Sequence, residues 1–186
     1  VVEKVVRKGV EPQSQTGIVF TGSFTYTPEN RLGIRILASV LETRLRERVR
    51  EEMSGTYGVS VARSYDPFPG PRYSVSISFG SDPGRVQELT EAIFAEIRGL
   101  QENGPTPQQV QAAREQERRT RENNLQENAW WAAQLSFAYE HGSDPRLLLD
   151  DTLLGGVTPG TVQRDARLWL RLDNYVKVTL FPEGIR

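Results

Sequence analysis

The feature that most constrains the fold is a change in the spacing of apolar residues along the chain. Between residues 28 and 53 they recur every three or four positions, whereas over 56–62 and 73–79 they alternate with small polar residues. The first spacing predicts a long amphipathic helix and the second predicts a β-hairpin. A hairpin beside a long helix is typical of folds in which helices cover one side of an antiparallel sheet.

Other segments add strands and helices to this core. Stretches rich in β-branched and aromatic residues predict two opening strands, one near residues 1–6 and one over 17–26, and a closing strand over 175–181. Proline after a capping residue predicts helix starts at Thr27, Asp82, Thr106 and Thr158.

The lengths of the later helices follow from where their patterns stop. The helix after Thr106, with a capping box completed by Gln109, can extend to His141 unless it bends. A short helix is predicted over 147–154 and another from 159 to about 171. We find no repeat or low-complexity linker, so we expect residues 1–186 to form a single α+β domain, with a mainly antiparallel sheet backed on one side by long helices.

Composition excludes several classes of function. The 23 basic and 24 acidic side chains give a formal net charge of -1, so a basic surface for nucleic acid is not expected. No apolar run approaches the roughly 20 residues that a membrane-spanning helix needs. The chain has no cysteine and one histidine, His141, for which we predict a capping or surface role at a helix end. A zinc site, or a serine and histidine catalytic pair, therefore lacks its usual side chains.

Arg50 and Tyr57 are the candidate functional residues. An arginine can donate two parallel hydrogen bonds to a carbonyl or carboxylate, and a tyrosine hydroxyl can donate to an oxygen that gains negative charge during acyl transfer. Both stand where a predicted helix ends and a predicted strand begins. Spacing alone favours the plainer interpretation, in which Arg50 is one of several surface arginines of the helix and Tyr57 packs in the hairpin.

The residues around this pair resemble a known family. The segment VREEMSGTYGV, residues 49–59, is similar to the pattern LREE-x-x-G-x-Y-x-V in the zinc-free half of insulinase or pitrilysin-type zinc metallopeptidases, the inverzincins. The resemblance covers nearly the whole chain, continuing through Phe79, Asp82-Pro83, Asn103-Gly104-Pro105-Thr106, Asn128-Ala129-Trp130-Trp131, Val157-Thr158-Pro159 and Leu180-Phe181-Pro182-Glu183.

The resemblance implies a fold and a role. It implies a metallopeptidase-domain-like sandwich, the non-catalytic C-terminal domain of a bacterial two-half enzyme that encloses peptide substrate. The family carries its zinc motif, H-x-x-E-H, in the other half. Laid against that motif, this chain has Ile36, Ser39 and Val40, so the resemblance implies no metal in this domain and zinc in the parent protein. By the same analogy, Arg50 and Tyr57 bind substrate near that zinc.

The resemblance also suggests partners and a compartment. By resemblance we expect the N-terminal zinc-bearing half of the same protein and a peptide substrate as partners, and a periplasmic or exported location, which the residues themselves leave open. Because the chain starts without methionine in a predicted strand, we expect it to be a fragment of a longer peptidase, inactive alone. Two alternatives stay open: a purely structural or assembly domain of an inactive family member, and an unrelated α+β binding module.

Overall fold

The computed structural model of the 186-residue chain describes residues 1–52 and 58–184, and of residues 49–52 it describes the backbone alone. Within the described residues, one sheet has the strand order β1-β5-β2-β4-β3. The β1–β5 pair is parallel, and the other neighbouring pairs are antiparallel. The strands are β1 Val2–Arg7, β2 Ser14–Ser23, β3 Val59–Asp66, β4 Arg72–Ser81 and β5 Tyr175–Phe181.

Six α-helices are described. They are α1 Pro28–Glu52, α2 Val86–Asn103, α3 Pro107–Asn124, α4 Asn128–Glu140, α5 Thr152–Gly155 and α6 Pro159–Trp169, with 3₁₀ turns at Pro83–Arg85 and Pro145–Leu149. Three α-helices start after the predicted capping residues Thr27, Thr106 and Thr158, whereas Asp82 caps the 3₁₀ turn that precedes α2. The hydroxyl of Thr27 accepts the backbone N–H of Asn30 at 3.2 Å, and Thr106 forms the predicted capping box with Gln109. None of the described helices combines the length and apolar character needed to cross a bilayer.

The long helix predicted from 107 to 141 is interrupted. α3 ends at Asn124 and α4 begins at Asn128, so the bend that the sequence left open is a complete break. The indole N–H of Trp131 donates to the carbonyl of Leu125 at 2.9 Å, which satisfies a backbone acceptor that the break frees. The predicted helix at 147–154 is likewise divided between the 3₁₀ turn and the single turn of α5.

The two faces of the sheet differ in burial. On one face, Ile18, Phe20, Val75, Ile77 and Phe79 are almost inaccessible to solvent and contribute to the main core. On the other face, alternate residues of β5 are well exposed, with Val176, Val178 and Leu180 at 38–39%. The prediction of a mainly antiparallel sheet covered by helices on one side is therefore confirmed.

Helix α1 occupies the centre of the covered side. It contacts β3 and helices α2, α3, α5 and α6. Because neighbours surround it, apolar residues are buried around much of its circumference instead of along one stripe. The buried residues are Leu32, Ile34, Ile36, Leu37, Ala38, Val40, Leu41 and Leu45.

Helices α1 and α6 approach closely at Gly33. A Cβ atom at this position would lie 2.5 Å from a carboxylate oxygen of Asp165 and 3.2 Å from the ring of Trp169. Both neighbours are buried, at 3% and 2% exposure, so neither side chain can withdraw into solvent. Glycine at residue 33 is therefore required by space.

We expect Gly33→Ala to destabilise the fold by about 1–3 kcal/mol, the usual cost of overpacking. Urea unfolding with fluorescence detection measures the change. The matched control is Gly99→Ala in α2, where the new Cβ would meet its nearest neighbour, Arg44, at an ordinary 3.5 Å. Alanine has the higher helix propensity, so the control should be neutral or stabilising by up to about 1 kcal/mol. Equal destabilisation of the two variants would contradict the crowding argument.

The buried carboxyl group of Asp165 makes the stability of the folded chain depend on pH, in a direction that its pKa shift determines. Burial raises the pKa of its carboxyl group, and the neighbouring guanidinium of Arg164 offsets this only in part. Because the folded state binds the proton more tightly than the unfolded chain, this group favours folding at low pH, and its contribution is lost as pH rises through the folded-state pKa.

We therefore expect Asp165→Asn to increase stability relative to the wild type at pH 7, with the gain shrinking as pH falls toward 4. Urea unfolding of both proteins at a series of pH values measures the difference. Asp173→Asn is the control, because Arg171 lowers the pKa of that exposed carboxyl group. The difference in stability between Asp173→Asn and the wild type should therefore change with pH in the opposite direction. A difference between Asp165→Asn and the wild type that stays constant with pH would exclude the buried carboxyl as the cause.

Candidate substrate-positioning site and a separate arginine cavity

Of the two predicted site residues, the structure describes one in part. Arg50 lies in the last turn of α1, as predicted, because that helix continues to Glu52. Its side chain lies outside the described residues, and so does the whole of Tyr57. The predicted pairing of Arg50 with Tyr57 therefore stays a prediction.

The strand that follows Tyr57 in the sequence is at the edge of the sheet. β3 begins at Val59 and pairs with β4 from Val59↔Phe79 to Asp66↔Arg72. In the sheet of the described residues it has no strand on its other side. A free edge exposes backbone donors and acceptors that can bind an extended peptide. The open edge and the end of α1 are thus separated by six residues along the chain.

The positions aligned with the family's zinc motif cannot hold a metal. Ile36 and Val40 are apolar and buried, at 1% and 2% exposure. Ser39 between them lies beside a groove that α1 forms with α3. Within residues 1–52 and 58–184, no group of three or more histidine, cysteine or acidic side chains is arranged to bind a metal ion. The chemistry of these side chains does not fit zinc.

A cavity of about 330 Å³ lies between α1, β3, α3, α4 and the segment 145–154. Arg35 of α1 lies at its wall. Its Nε donates to a carboxylate oxygen of Glu117 at 2.7 Å, and its Nη1 donates to the hydroxyl of Tyr65 at 3.2 Å. Burial alone would lower the pKa of Arg35, but the charge of Glu117 and the Tyr65 hydroxyl more than offset that effect, so its pKa is raised. The cavity therefore contains a fixed cation linking three elements.

Sequence reasoning did not find this cavity. Arg35 and Glu117 are 82 positions apart, and each lies in a stretch with other charged residues. Residue spacing identifies neighbours within one helix, but it does not identify which residues of two different helices meet. Only the packing of α3 on α1 distinguishes this ion pair from the surface pairs.

The tryptophan pair has two structural roles. The rings of Trp130 and Trp131 meet edge to face, with centroids 5.2 Å apart. Both residues are half-buried. Trp130 lines the cavity, and Trp131 makes the hydrogen bond at the break between α3 and α4.

His141 ends α4, as predicted. Its Nδ1 lies 2.7 Å from the carbonyl oxygen of Phe137. Its ring stacks on Phe137 and also contacts Phe68 of the β3–β4 connection. These contacts support the capping role.

The chain resembles known proteins along much of its length. Residues 2–117 match the peptidase M16 inactive domain. The chain is 32% identical over 94 residues, half of its length, to "Probable zinc protease PqqL" of Haemophilus influenzae. It is 29% identical over 116 residues, 58% of its length, to "Zinc protease PQQL-like" of Arabidopsis thaliana. The matched parts are 10% and 12% of these two proteins, so the chain spans about a tenth of their length.

Solved structures with the same fold cover nearly all of the chain. The periplasmic protease PqqL from Escherichia coli superposes with a TM-score of 0.82 at 21% identity, over 98% of this chain and 20% of that protein. A peptidase M16 inactive domain from Pseudomonas fluorescens superposes with a TM-score of 0.78 at 17% identity, over the whole of this chain and 44% of the other. At these identities the superpositions establish the fold.

We expect Glu117→Gln to destabilise the chain by about 1–2 kcal/mol, because it leaves the half-buried guanidinium of Arg35 without a charged acceptor. Urea unfolding measures the loss. Glu115→Gln, two residues earlier on α3, is the control: its partners Arg118 and Arg119 are exposed, and such a surface change should stay within about 0.5 kcal/mol. If the two variants lose the same stability, the Arg35–Glu117 pair contributes no more than a surface pair.

Proposed function

The chain belongs to the family of peptidase M16 inactive domains, and on that premise we propose that it is the zinc-free C-terminal domain of a larger zinc metallopeptidase, where it encloses and positions peptide substrate. The curated relatives named above are zinc proteases about ten times as long as the matched segment. The domain itself supplies no metal ligands at the aligned positions. Catalytic zinc would then belong to a different half of the parent protein.

The observation that carries this proposal is the order of elements around residues 49–59. A buried central helix ends at Glu52, and the edge strand begins at Val59. The family match spans both elements. A side chain at the end of a rigid helix is well suited to positioning a substrate group, because burial fixes the helix on which it stands.

Arg50 and Tyr57 have separate proposed roles. The guanidinium of Arg50 would bind a backbone carbonyl of the peptide through paired hydrogen bonds. The hydroxyl of Tyr57 would donate a hydrogen bond to the carbonyl oxygen as it becomes negatively charged during attack. Neither residue cleaves the bond, so the isolated chain would be inactive.

The edge of β3 offers a second means of holding substrate. An extended peptide that pairs with this edge gains main-chain hydrogen bonds without a requirement for one sequence. Such binding would suit a protease whose substrates are unfolded segments. The proposed partners are therefore the zinc-bearing half of the parent and a peptide, and the proposed location is the periplasm, by likeness to the E. coli protease.

The decisive experiment measures peptide hydrolysis by the zinc-loaded parent protein and its variants Tyr57→Phe and Arg50→Ala. We expect Tyr57→Phe to lower kcat by about 100-fold or more, the usual effect of removing one donor to the oxyanion. Arg50→Ala should mainly raise KM, because its bonds form with the bound substrate as well as in the transition state. Melting temperatures should stay unchanged.

Matched controls make the result specific. Tyr139→Phe alters a tyrosine that is 81% exposed on α4, and Arg98→Ala alters an exposed arginine on α2. Both should retain full turnover. Unchanged turnover in the Tyr57 and Arg50 variants, or a loss that follows the melting temperature, would instead favour the purely structural or assembly role.

A further inference from the structure

The arginine cavity described above has more hydrogen-bond donors than its own acceptors satisfy. Arg31 of α1 and Arg63 of β3 both line it. The Nε of Arg31 is buried and has no hydrogen-bond partner among the described residues. Its guanidinium lies 5.1 Å above the ring of Tyr26, which holds the group in place by a cation–π contact. A buried donor without an acceptor is unfavourable, so this corner of the cavity favours an anionic ligand.

Arg63 reaches the same cavity from the sheet. Along β3, Arg63 is two residues from the buried Val61 and two residues from Tyr65. Side chains two apart on a strand point to the same side, so these three share the face that the helices cover. No carboxylate in the described part of the chain lies within ion-pair distance of Arg63 or Arg31. The N-terminus of α1 at Pro28 also lines the cavity, and its partial positive charge has the same sign.

Three of the other charged groups of the cavity already have partners. Glu117 is bound by Arg35 at 2.7 Å. Arg121 donates to the carbonyl of Leu148 at 3.0 Å. Asp150 accepts the backbone N–H of Thr152 at 2.9 Å, and Asp151 lies beside it at the lining. The acidic residues other than Glu117 are therefore contributed by the 145–154 segment, whereas Arg31 and Arg63 belong to α1 and β3.

An apolar wall completes the cavity. Trp130 and leucines of the 145–154 segment face it, including the buried Leu154. The volume of about 330 Å³ is near the lower end of the range for small-ligand sites, about 300–1,000 Å³. A compact ligand that combines an anion with an apolar group would match both the arginines and this wall.

We propose that this cavity binds the C-terminal residue of a peptide, with its carboxylate between Arg31 and Arg63 and its apolar side chain against Trp130. A carboxylate matches the planar fork of an arginine through two parallel hydrogen bonds. The cavity is lined by the first turns of α1, whereas Arg50 is in the last turn, and the proposed binding requires neither Arg50 nor Tyr57. It also requires no zinc half, so the isolated chain should bind the ligand.

Calorimetric titration of the 186-residue chain tests the proposal. The probe is N-acetyl-Leu-Phe with a free carboxylate, and its C-terminal amide is the matched ligand. We expect the acid to bind at least tenfold more tightly than the amide. Arg63→Gln and Arg31→Gln should each weaken binding of the acid about tenfold, which corresponds to about 1.4 kcal/mol.

Three controls identify the chemistry. Arg98→Gln, on the exposed surface of α2, should leave affinity unchanged. Trp130→Ala should weaken binding of the acid, whereas inorganic phosphate, which lacks the apolar group, should bind at least tenfold more weakly than the peptide. Arg63 is exposed, so its replacement should not unfold the chain, and melting curves check this for every variant.

Several results would overturn the proposal. They are undetectable binding of the acid at millimolar concentration, equal affinity for acid and amide, an equal loss in Arg98→Gln, and phosphate binding as tight as that of the peptide. Tighter binding of N-acetyl-Leu-Glu-amide than of the free acid would also overturn it, because the anion would then be an acidic side chain instead of a chain end. None of these results bears on turnover by the parent, so this proposal and the proposed function can fail separately.

Discussion

The fold depends on the burial of α1 between the sheet and four other helices. Its apolar residues from Leu32 to Leu45 fill the space above β2, β3 and β4, and its glycine at residue 33 lets α6 approach within van der Waals contact. A helix buried around most of its circumference cannot rotate or slide without exposing apolar surface, at about 25 cal/mol for each Å². Among the described residues, those proposed to act on a ligand are on this helix, in the edge strand that it contacts, or in the lining of the cavity beside it.

That rigidity links the two proposed sites. Arg50 is in the last turn of α1, whereas Arg31 and Arg35 are in its first three turns, so one buried helix carries groups at both of its ends. At the first end, Glu117 and Tyr65 connect α1 to α3 and β3, so the cavity wall is held by three elements. At the other end, the helix stops shortly before the edge strand. Helix and edge strand together provide the kind of rigid support on which positioned side chains depend.

Much of the fold was predictable because it is encoded locally. The predicted strands correspond to β1–β5 with shifts of a few residues at their ends, and the starts of α1, α3 and α6 follow Thr27, Thr106 and Thr158. Where the sequence left the outcome open, the structure decided it. The charged stretch of α3 continues in sequence toward Trp130, yet the helix breaks at residues 125–127, where Trp131 bonds the Leu125 carbonyl. The resemblance identified Arg50 and Tyr57, but no local pattern indicated the Arg31–Arg63 cavity.

The sequence by itself determined the class of fold, the absence of zinc ligands at Ile36, Ser39 and Val40, and the family, because each of these depends on residue type and order. Tertiary structure alone decided which distant residues meet. Examples are the parallel pairing of β1 with β5, the close approach of Asp165 to Gly33, and the ion pair between Arg35 and Glu117. The physical reason is that periodicity and capping act over a few residues, whereas these contacts join residues 82 to 174 positions apart, whose meeting depends on how the whole core packs.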